Sequence, residues 1–334
     1  MGVKLSELVP KKAITFENLK GKKIAVDASN MLYQFVSSIR QIDGTPLMDS
    51  KQRITSHLMG LSTRIPNLIE KGIKPCFVFD GKPPRLKLKE QEEREHRKRV
   101  AETKLEQAKE EDNTEDMAKY SKMSTRLSRE IMEESKEFLK ALGLPVIQAP
   151  SESDAQAAFI CEKKDVYAVA SSDFDTLLFN SPRMITNLTV SQKRKVRGSY
   201  INITPEMIEL KQALKKLNIN QDQLIALGIL IGTDYNVGGI KGIGPKTALK
   251  LVQQHKTFDK LFKDLNPDFN WKEIYAIFKS MPIMKNYQLK WESPNEDKIN
   301  EILLDHDFSQ ERIDKLLEKL TGKKKGQNAL DKYF

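Results

Sequence analysis

The sequence predicts an α/β fold, a mainly parallel twisted sheet flanked by helices. Two observations carry that expectation through the first half of the chain. Short apolar runs alternate with helix-length segments, the order of parallel strands joined by helical crossovers. The runs are continuously apolar, as strands buried on both faces are. Beyond Thr204 the pattern reads as helical, with glycine punctuation at Gly232 and at Gly238–Gly244.

The elements follow in order. Lys22-Lys23-Ile24-Ala25-Val26 reads as a strand ending in Asp27, with a helix from about Ser29 to Arg40 behind it. Asp43-Gly44-Thr45-Pro46 is a turn. A helix over about Ser56–Glu70 stops at Gly72. Pro75–Phe79 is a second strand, ending in Asp80. From Arg85 to Asp112 the composition changes: nine basic and nine acidic residues fill 28 positions, too few apolar ones for a core. Their interleaved signs suit exposed helices held by i,i+4 pairs. Asp112–Asp116 reads as a loop, and a second helix runs to about Leu142. This insertion is either a solvated helical hairpin, partly disordered, or a flexible cap over a site. Gly143–Ile147 is a further strand, Glu152–Glu162 a helix, and Val166–Ala170 a strand leading into Ser171-Ser172-Asp173-Phe174-Asp175.

At 334 residues the chain fits one large domain with insertions, or roughly two domains. It carries 56 Lys+Arg against 46 Asp+Glu, a net charge of +10. That excess points to a polyanionic partner, nucleic acid or an acidic membrane surface. No apolar run approaches the roughly 18 residues of a membrane span, and the N-terminus lacks a signal-peptide core. Two cysteines and four histidines build neither a disulfide scaffold nor a soft-metal site. The expectation is an intracellular, soluble protein. Met1-Gly2 with Ser6 also fits a short acylation pattern.

Asp27, Asp80 and Asp173 with Asp175 follow strands directly, where a parallel sheet forms its ligand crevice. Glu152 and Asp154 open the helix after another strand, and Asp234 follows the apolar run Leu224–Ile231. Each alone could simply cap a helix. Seven together repel one another and require cations. Hard oxygen donors with few histidines favour Mg²⁺ or Mn²⁺. Two such ions can activate a water and stabilise a leaving oxygen, so the set points to metal-dependent phosphodiester hydrolysis.

Gly239-Ile240-Lys241-Gly242-Ile243-Gly244-Pro245-Lys246-Thr247-Ala248 has neither P-loop nor dinucleotide-fold spacing. It fits the turn of a helix–hairpin–helix unit, whose backbone N–H groups approach phosphates without reading sequence. The chain ends Gln327-Asn328-Ala329-Leu330-Asp331-Lys332-Tyr333-Phe334. Gln327, Leu330, Tyr333 and Phe334 match a motif that binds sliding clamps (PCNA), the alternative being a tail docked on its own domain.

Together these strings resemble the flap endonuclease family of structure-specific 5′ nucleases over nearly the whole chain. The resemblance rests on Val26–Asn30, Val78–Pro84, Ala149–Ala155, Ser172–Asp175, Gly232–Tyr235 and the glycine-rich loop. It implies a PIN-like nuclease fold with a helical arch and a helix–hairpin–helix module. The implied divisions are a nuclease region (1–84), an arch (85–142), an internal nuclease region (143–234), a C-terminal helical region (235–320) and a clamp-binding tail (321–334). It implies cutting of 5′ flaps, with 5′→3′ exonuclease action, in DNA replication and repair. Related nucleases acting on bubbles or four-way junctions, or a non-catalytic junction binder, are the alternatives.

By resemblance, the seven acids are the metal ligands, with two Mg²⁺ ions replaceable by Mn²⁺. Lys87 and Arg94 match basic arch residues that neutralise the scissile phosphate. Tyr33 matches an aromatic that stacks on a base, Gly2 a residue at the active-site edge, and Arg64 a template-strand contact. Gly242, Gly244, Lys246 and Thr247 lie in the loop that matches a K⁺ site gripping duplex phosphates. Phe308 matches the aromatic of a 3′-flap pocket. Two departures stand out: Asp154 where eukaryotic members carry Glu, and His306 where they carry Lys. With no long basic tail after Phe334, the chain resembles archaeal members. That implies the cytoplasm or nucleoid, against a nuclear setting for a eukaryotic member; a monomer without membrane contact is expected besides.

Overall fold

The computed structural model describes residues 3–190, 193–196, 199–255 and 257–322. The first half contains β1 (Lys12–Ala13), β2 (Lys23–Asp27), α1 (Ala28–Ser38), α2 (Ser56–Glu70), β3 (Lys74–Phe79), α3 (Leu88–Glu110), α4 (Thr114–Met123) and α5 (Arg129–Ala141). Next come β4 (Val146–Gln148), α6 (Ser153–Glu162), β5 (Ala168–Ala170), α7 (Asp175–Leu178), β6 (Arg183–Thr186), β7 (Lys193–Val196), β8 (Ser199–Asn202) and β9 (Glu206–Glu209). The remainder is helical: α8 (Leu210–Leu217), α9 (Gln221–Ile231), α10 (Pro245–Gln254), α11 (Asp259–Leu265), α12 (Trp271–Ser280), α13 (Glu296–Asp305) and α14 (Gln310–Thr321).

The main sheet has the order β1-β9-β6-β5-β2-β3-β4. The block from β6 to β4 is parallel, while β9 runs antiparallel to β6 and β1 antiparallel to β9. The continuous apolar runs have a plain cause, since side chains alternate faces along a strand. Ile24, Val26, Phe77 and Phe79 enter one core with α1, α2 and α5, whereas Ala25, Cys76, Val78 and Val169 enter a second with α6. Both faces are covered, the second partly by Met284, Tyr287, Leu289 and Trp291. A third core gathers the N-terminal segment and α7 to α12 around Met184 and Ile208.

Three expectations change. The segment after Thr204 is not helical at once. Glu206–Glu209 adds an antiparallel strand, burying Ile208 and pairing it with Met184; a four-residue strand running straight into a helix leaves little period-two signal. The second arch helix is two helices, α4 and α5, interrupted at Ser124–Ser128. Of these, α5 buries Ile131, Phe138 and Leu139 in the first core, so the exposed arch is α3 and α4 alone. The C-terminal helices also divide: α10 to α12 pack with α9, whereas α13 and α14 return to the first core through Ile299, Leu303, Ile313 and Leu316. The β7–β8 hairpin was not anticipated.

The arch is tied to the turn after α1 through Arg40. The Arg40 guanidinium donates to the Gly44 carbonyl at 2.7 Å and to Ser121 Oγ at 2.6 Å, and it also bonds Thr125. At Gly44 (φ +84°) a Cβ would meet the Ala118 Cα at 2.3 Å, so only glycine lets α4 approach this turn.

Candidate active site

The strand ends deliver the acids as their spacing implies. β2, β3 and β5 are parallel neighbours, so Asp27, Asp80 and Asp173 reach the same sheet edge. A cavity of about 400 Å³ there is lined by Asp27, Asp80, Glu152, Asp154, Asp173 and Asp234, together with Lys87, Arg94 and Lys98 from the arch side and Tyr33 from α1. Asp175 lies behind Asp173, buried, where its Oδ1 accepts from the Val3 N–H at 2.8 Å. Larger cavities of about 590 and 760 Å³ lie elsewhere and hold none of these acids.

Short polar side chains set the carboxylates. Asp27 Oδ1 accepts from the Asn30 N–H at 3.1 Å, so it caps α1 as well as facing the cavity. Ser153 and Ser171 donate their hydroxyls to its two oxygens at 3.3 and 3.2 Å. The Ser153 N–H also donates to Asp80 Oδ1 at 2.8 Å, and Ser171 Oγ accepts from the Asp173 N–H at 3.0 Å. Thr176 Oγ1 donates to Asp154 Oδ1 at 2.5 Å and fixes that carboxylate. Asp234 sits in a turn ordered by Asn236, which accepts from the Thr233 N–H at 3.1 Å and donates to the Ile229 carbonyl at 2.7 Å. Glu152 occupies the N-cap position of α6 without capping it. It bonds the Lys87 ammonium instead, which also lies 3.3 Å from Asp234. Arg94 lies 3.7 Å from Asp234 and 2.7 Å from Glu90.

The electrostatics of this cavity are strained. Burial pushes the Asp27 carboxyl up to about 7, helped by the charges of Asp80 and Asp173. Burial likewise lifts Asp154 and Asp175 well above the usual carboxylate range, with neighbouring acids adding to it. Asp173 and Glu152 are raised for the same first reason. Burial alone would lower the Lys87 pKa, but Glu152 and Asp234 outweigh it and keep the ammonium charged. The cluster is thus short of positive charge, and its donors are all oxygen, the set that suits a hard divalent cation. Among the described residues no three acids already converge as a ligand cage; the Lys87 ammonium stands between two of them.

The other candidates lie elsewhere. Gly244 caps α10, Pro245 begins it, and Lys246 and Thr247 are exposed beside Gly242, which has φ +84°. With α9 this forms the expected helix–hairpin–helix. Arg64 is half-buried: it donates to the Thr189 carbonyl at 2.7 Å, covers the Phe35 ring and lines the 760 Å³ groove. Phe308 is a buried member of the first core. Gly2, Gln327, Leu330, Tyr333 and Phe334 lie outside the described residues. Sequence reasoning passed over Ser153, Ser171, Thr176, Asn236 and Glu90. The first three stand inside or beside the acidic strings, which was the available signal.

The comparisons agree with this geometry. The XPG N-terminal domain matches residues 1–101 and the XPG I-region residues 143–234, so the two bracket the second half of the arch. Flap endonuclease 1 of Pyrococcus abyssi is 49% identical over 340 residues, covering 100% of this chain and 98% of that protein. The structure of flap endonuclease-1 from Methanococcus jannaschii superposes with a TM-score of 0.78 at 40% identity, covering 96% of this chain and 98% of that one. The catalytic core of Rad2 in complex with DNA substrate shares the fold at 22% identity and a TM-score of 0.69, covering 96% of this chain and 100% of that one. With an acid-lined cavity at the strand ends, cations reaching it from the arch, and full-length similarity to these relatives, the chain belongs to the flap endonuclease family, nucleases of the generally metal-dependent XPG type.

Proposed function

We propose that this flap endonuclease hydrolyses DNA phosphodiesters at the base of 5′ flaps, through two Mg²⁺ ions that Mn²⁺ can replace. The observation that carries the reading is the convergence of six acids, from five different strand or helix ends, on one cavity that Lys87 and Arg94 also enter. Asp27, Asp80, Glu152, Asp154, Asp173, Asp175 and Asp234 would hold the ions, some directly and some, like buried Asp175, through neighbours. The chemistry the ions supply when bound is activation of a water and charge stabilisation at the leaving oxygen. Lys87 and Arg94 offset the charge that builds on the scissile phosphate. Tyr33, 42% exposed at the cavity rim, offers a face on which an unpaired base can stack. The substrate end must unpair to reach the acids, at a cost of a few kcal/mol.

Duplex binding is assigned to the glycine loop, whose Gly242 and Gly244 have open space where a Cβ would be, and to Lys246 and Thr247. A K⁺ ion in this loop, template contact by Arg64, a 3′-flap pocket near Phe308 and clamp binding by the terminal motif belong to the same reading. Binding should be sequence-independent and fall steeply with salt. The test is cleavage of a labelled double-flap DNA with Mg²⁺ and with EDTA, beside a bubble and a four-way junction. A single Mg²⁺-dependent cut at the flap base supports the proposal. Faster cutting of the bubble or junction moves it to a related specificity, and intact junction binding with no cut on any substrate refutes it.

A further inference from the structure

Glu90 is an anion in the wrong place for an arch. It lies on α3, a helix whose other acids are exposed or, at Glu95 and Glu102, half-exposed against Arg126, yet only 4% of its own side chain is exposed. Its Oε1 accepts from Arg94 Nε at 2.9 Å, with Arg94 Nη2 at 2.7 Å and Arg97 Nη2 at 3.9 Å. Its Oε2 is buried with no hydrogen-bond partner, and so is Arg94 Nη2, whose 2.7 Å approach is an ion pair rather than a hydrogen bond. An ordinary i,i+4 helix pair contributes a few tenths of a kcal/mol and needs no burial. The exposed Arg99–Glu95 pair of the same helix is of that kind, with side chains 73% and 40% exposed. A buried carboxylate with an unsatisfied oxygen is costly and calls for an explanation in the residues around it.

The neighbours show the use. Glu90, Arg94, Arg97 and Lys98 stand at i, i+4, i+7 and i+8, one stripe of α3, and Arg94 and Lys98 line the acid cavity. Arg94 is pulled two ways: Glu90 holds it at 2.7 Å, and Asp234, on the cavity wall, waits at 3.7 Å. Without Glu90, the anion that remains within 4 Å of the guanidinium among the described residues is Asp234, one of the acids that would receive metal.

We propose that Glu90 is a positioning residue for flap cleavage: its buried carboxylate holds Arg94 through one hydrogen bond at Nε and an ion pair at Nη2, keeps the guanidinium back from Asp234, and leaves its remaining N–H groups for the phosphate. The inference rests on the reading of Arg94 as the phosphate-neutralising cation. Gln at position 90 keeps the shape and loses the charge, so Arg94 should fall toward Asp234.

The experiment compares wild type, Glu90→Gln, Arg94→Ala and the double variant. It measures kcat and KM on a labelled flap DNA, and Mn²⁺ binding without DNA by electron paramagnetic resonance. Glu90→Gln should lower kcat on the order of tenfold to a hundredfold, the scale of a misplaced catalytic group, with little change in KM. The double variant should be no slower than Arg94→Ala alone. Mn²⁺ binding should weaken in Glu90→Gln and recover in the double variant, a reversal that a purely structural role for Glu90 does not produce. Effects that multiply in the double variant, or Mn²⁺ binding untouched by Glu90→Gln, overturn the proposal. Equal kcat for wild type and Arg94→Ala would instead sink the reading of Arg94 on which it stands. Should Glu90→Gln melt early, Glu90→Asp keeps the charge at shorter reach: partial recovery of kcat over Gln supports the grip, and none refutes it.

Discussion

Asp27→Asn tests whether the acid cluster is a charge deficit waiting for cations. The carboxyl is pushed from an ordinary 3.8 up to about 7, first by burial and then by Asp80 and Asp173. A carboxyl whose pKa is raised on folding favours the folded state only while protonated. Its contribution is therefore whole below about pH 4, is lost as pH rises through about 7, and stays lost above. The difference corresponds to roughly 4 kcal/mol at pH 8. Asparagine removes that cost but cannot accept at its nitrogen; with its oxygen kept on Asn30 and Ser153, the Ser171 contact at 3.2 Å is given up. Losing that bond costs about 1 kcal/mol, leaving a net gain of about 3. Unfolding entropy scales with length, so for a chain of this size the gain is a rise of about 4 °C in Tm. The assay is thermal unfolding in EDTA at pH 8 and at pH 5. The variant should melt above wild type at pH 8, and most of the gap should close at pH 5. Mg²⁺ should reverse the order at pH 8, because only wild type keeps the ligand. A variant that melts below wild type in EDTA at pH 8, or a gap independent of pH, refutes the reasoning.

Three further outcomes follow from the same geometry. Lys87→Ala removes the ammonium between Glu152 and Asp234; flap cutting should fall about 10²- to 10³-fold with DNA binding retained, and Tm should drop in EDTA more than in Mg²⁺. Gly44→Ala drives a Cβ into α4 at a left-handed backbone position; limited proteolysis should find cleavage near 111–125 much earlier than in wild type, with flap cutting slowed. His57 is fully buried and hydrogen-bonded to Glu134 at 3.1 Å, and burial pushes its pKa below 6.5. Because the folded state binds that proton less readily than the unfolded chain, the stability it supports is present above about pH 6.5 and lost as pH falls below it. Between pH 7 and pH 5 the wild-type Tm should therefore fall further than that of His57→Gln, and equal slopes would count against this assignment.

The strand ends were legible because two periodicities coincide there. A five-residue apolar run states that a strand is buried on both faces, and a parallel sheet puts all such ends on one edge. Nothing else is needed to bring Asp27, Asp80 and Asp173 together. The arch was legible as a change of composition, but its end was not. The α5 stripe of Ile131, Phe138 and Leu139 continues a charged helical pattern without a break in sequence signal, and only the surfaces of α2 and α13 decide that it is core. The strand Glu206–Glu209 is in the same position, since four residues carry no usable period and their pairing with Arg183–Thr186 is a long-range fact.

Arg64, Phe308 and Glu90 show a sharper limit, since residue type and position leave their surroundings open. Arg64 is basic and near the right helix, yet it spends one donor on Thr189 and its face on Phe35. Phe308 is aromatic in the expected tripeptide, yet it is buried in the core cluster that also holds Ile299, Leu303 and Ile313. Glu90 is the reverse case, one of nine acids in a stretch of 28 positions and indistinguishable from the rest until its burial is known. The ligating acids escape this ambiguity because topology, not packing, sets their place. Residues that bind or position through a single face depend on what covers the other faces, and that is settled only when the helices around them have docked.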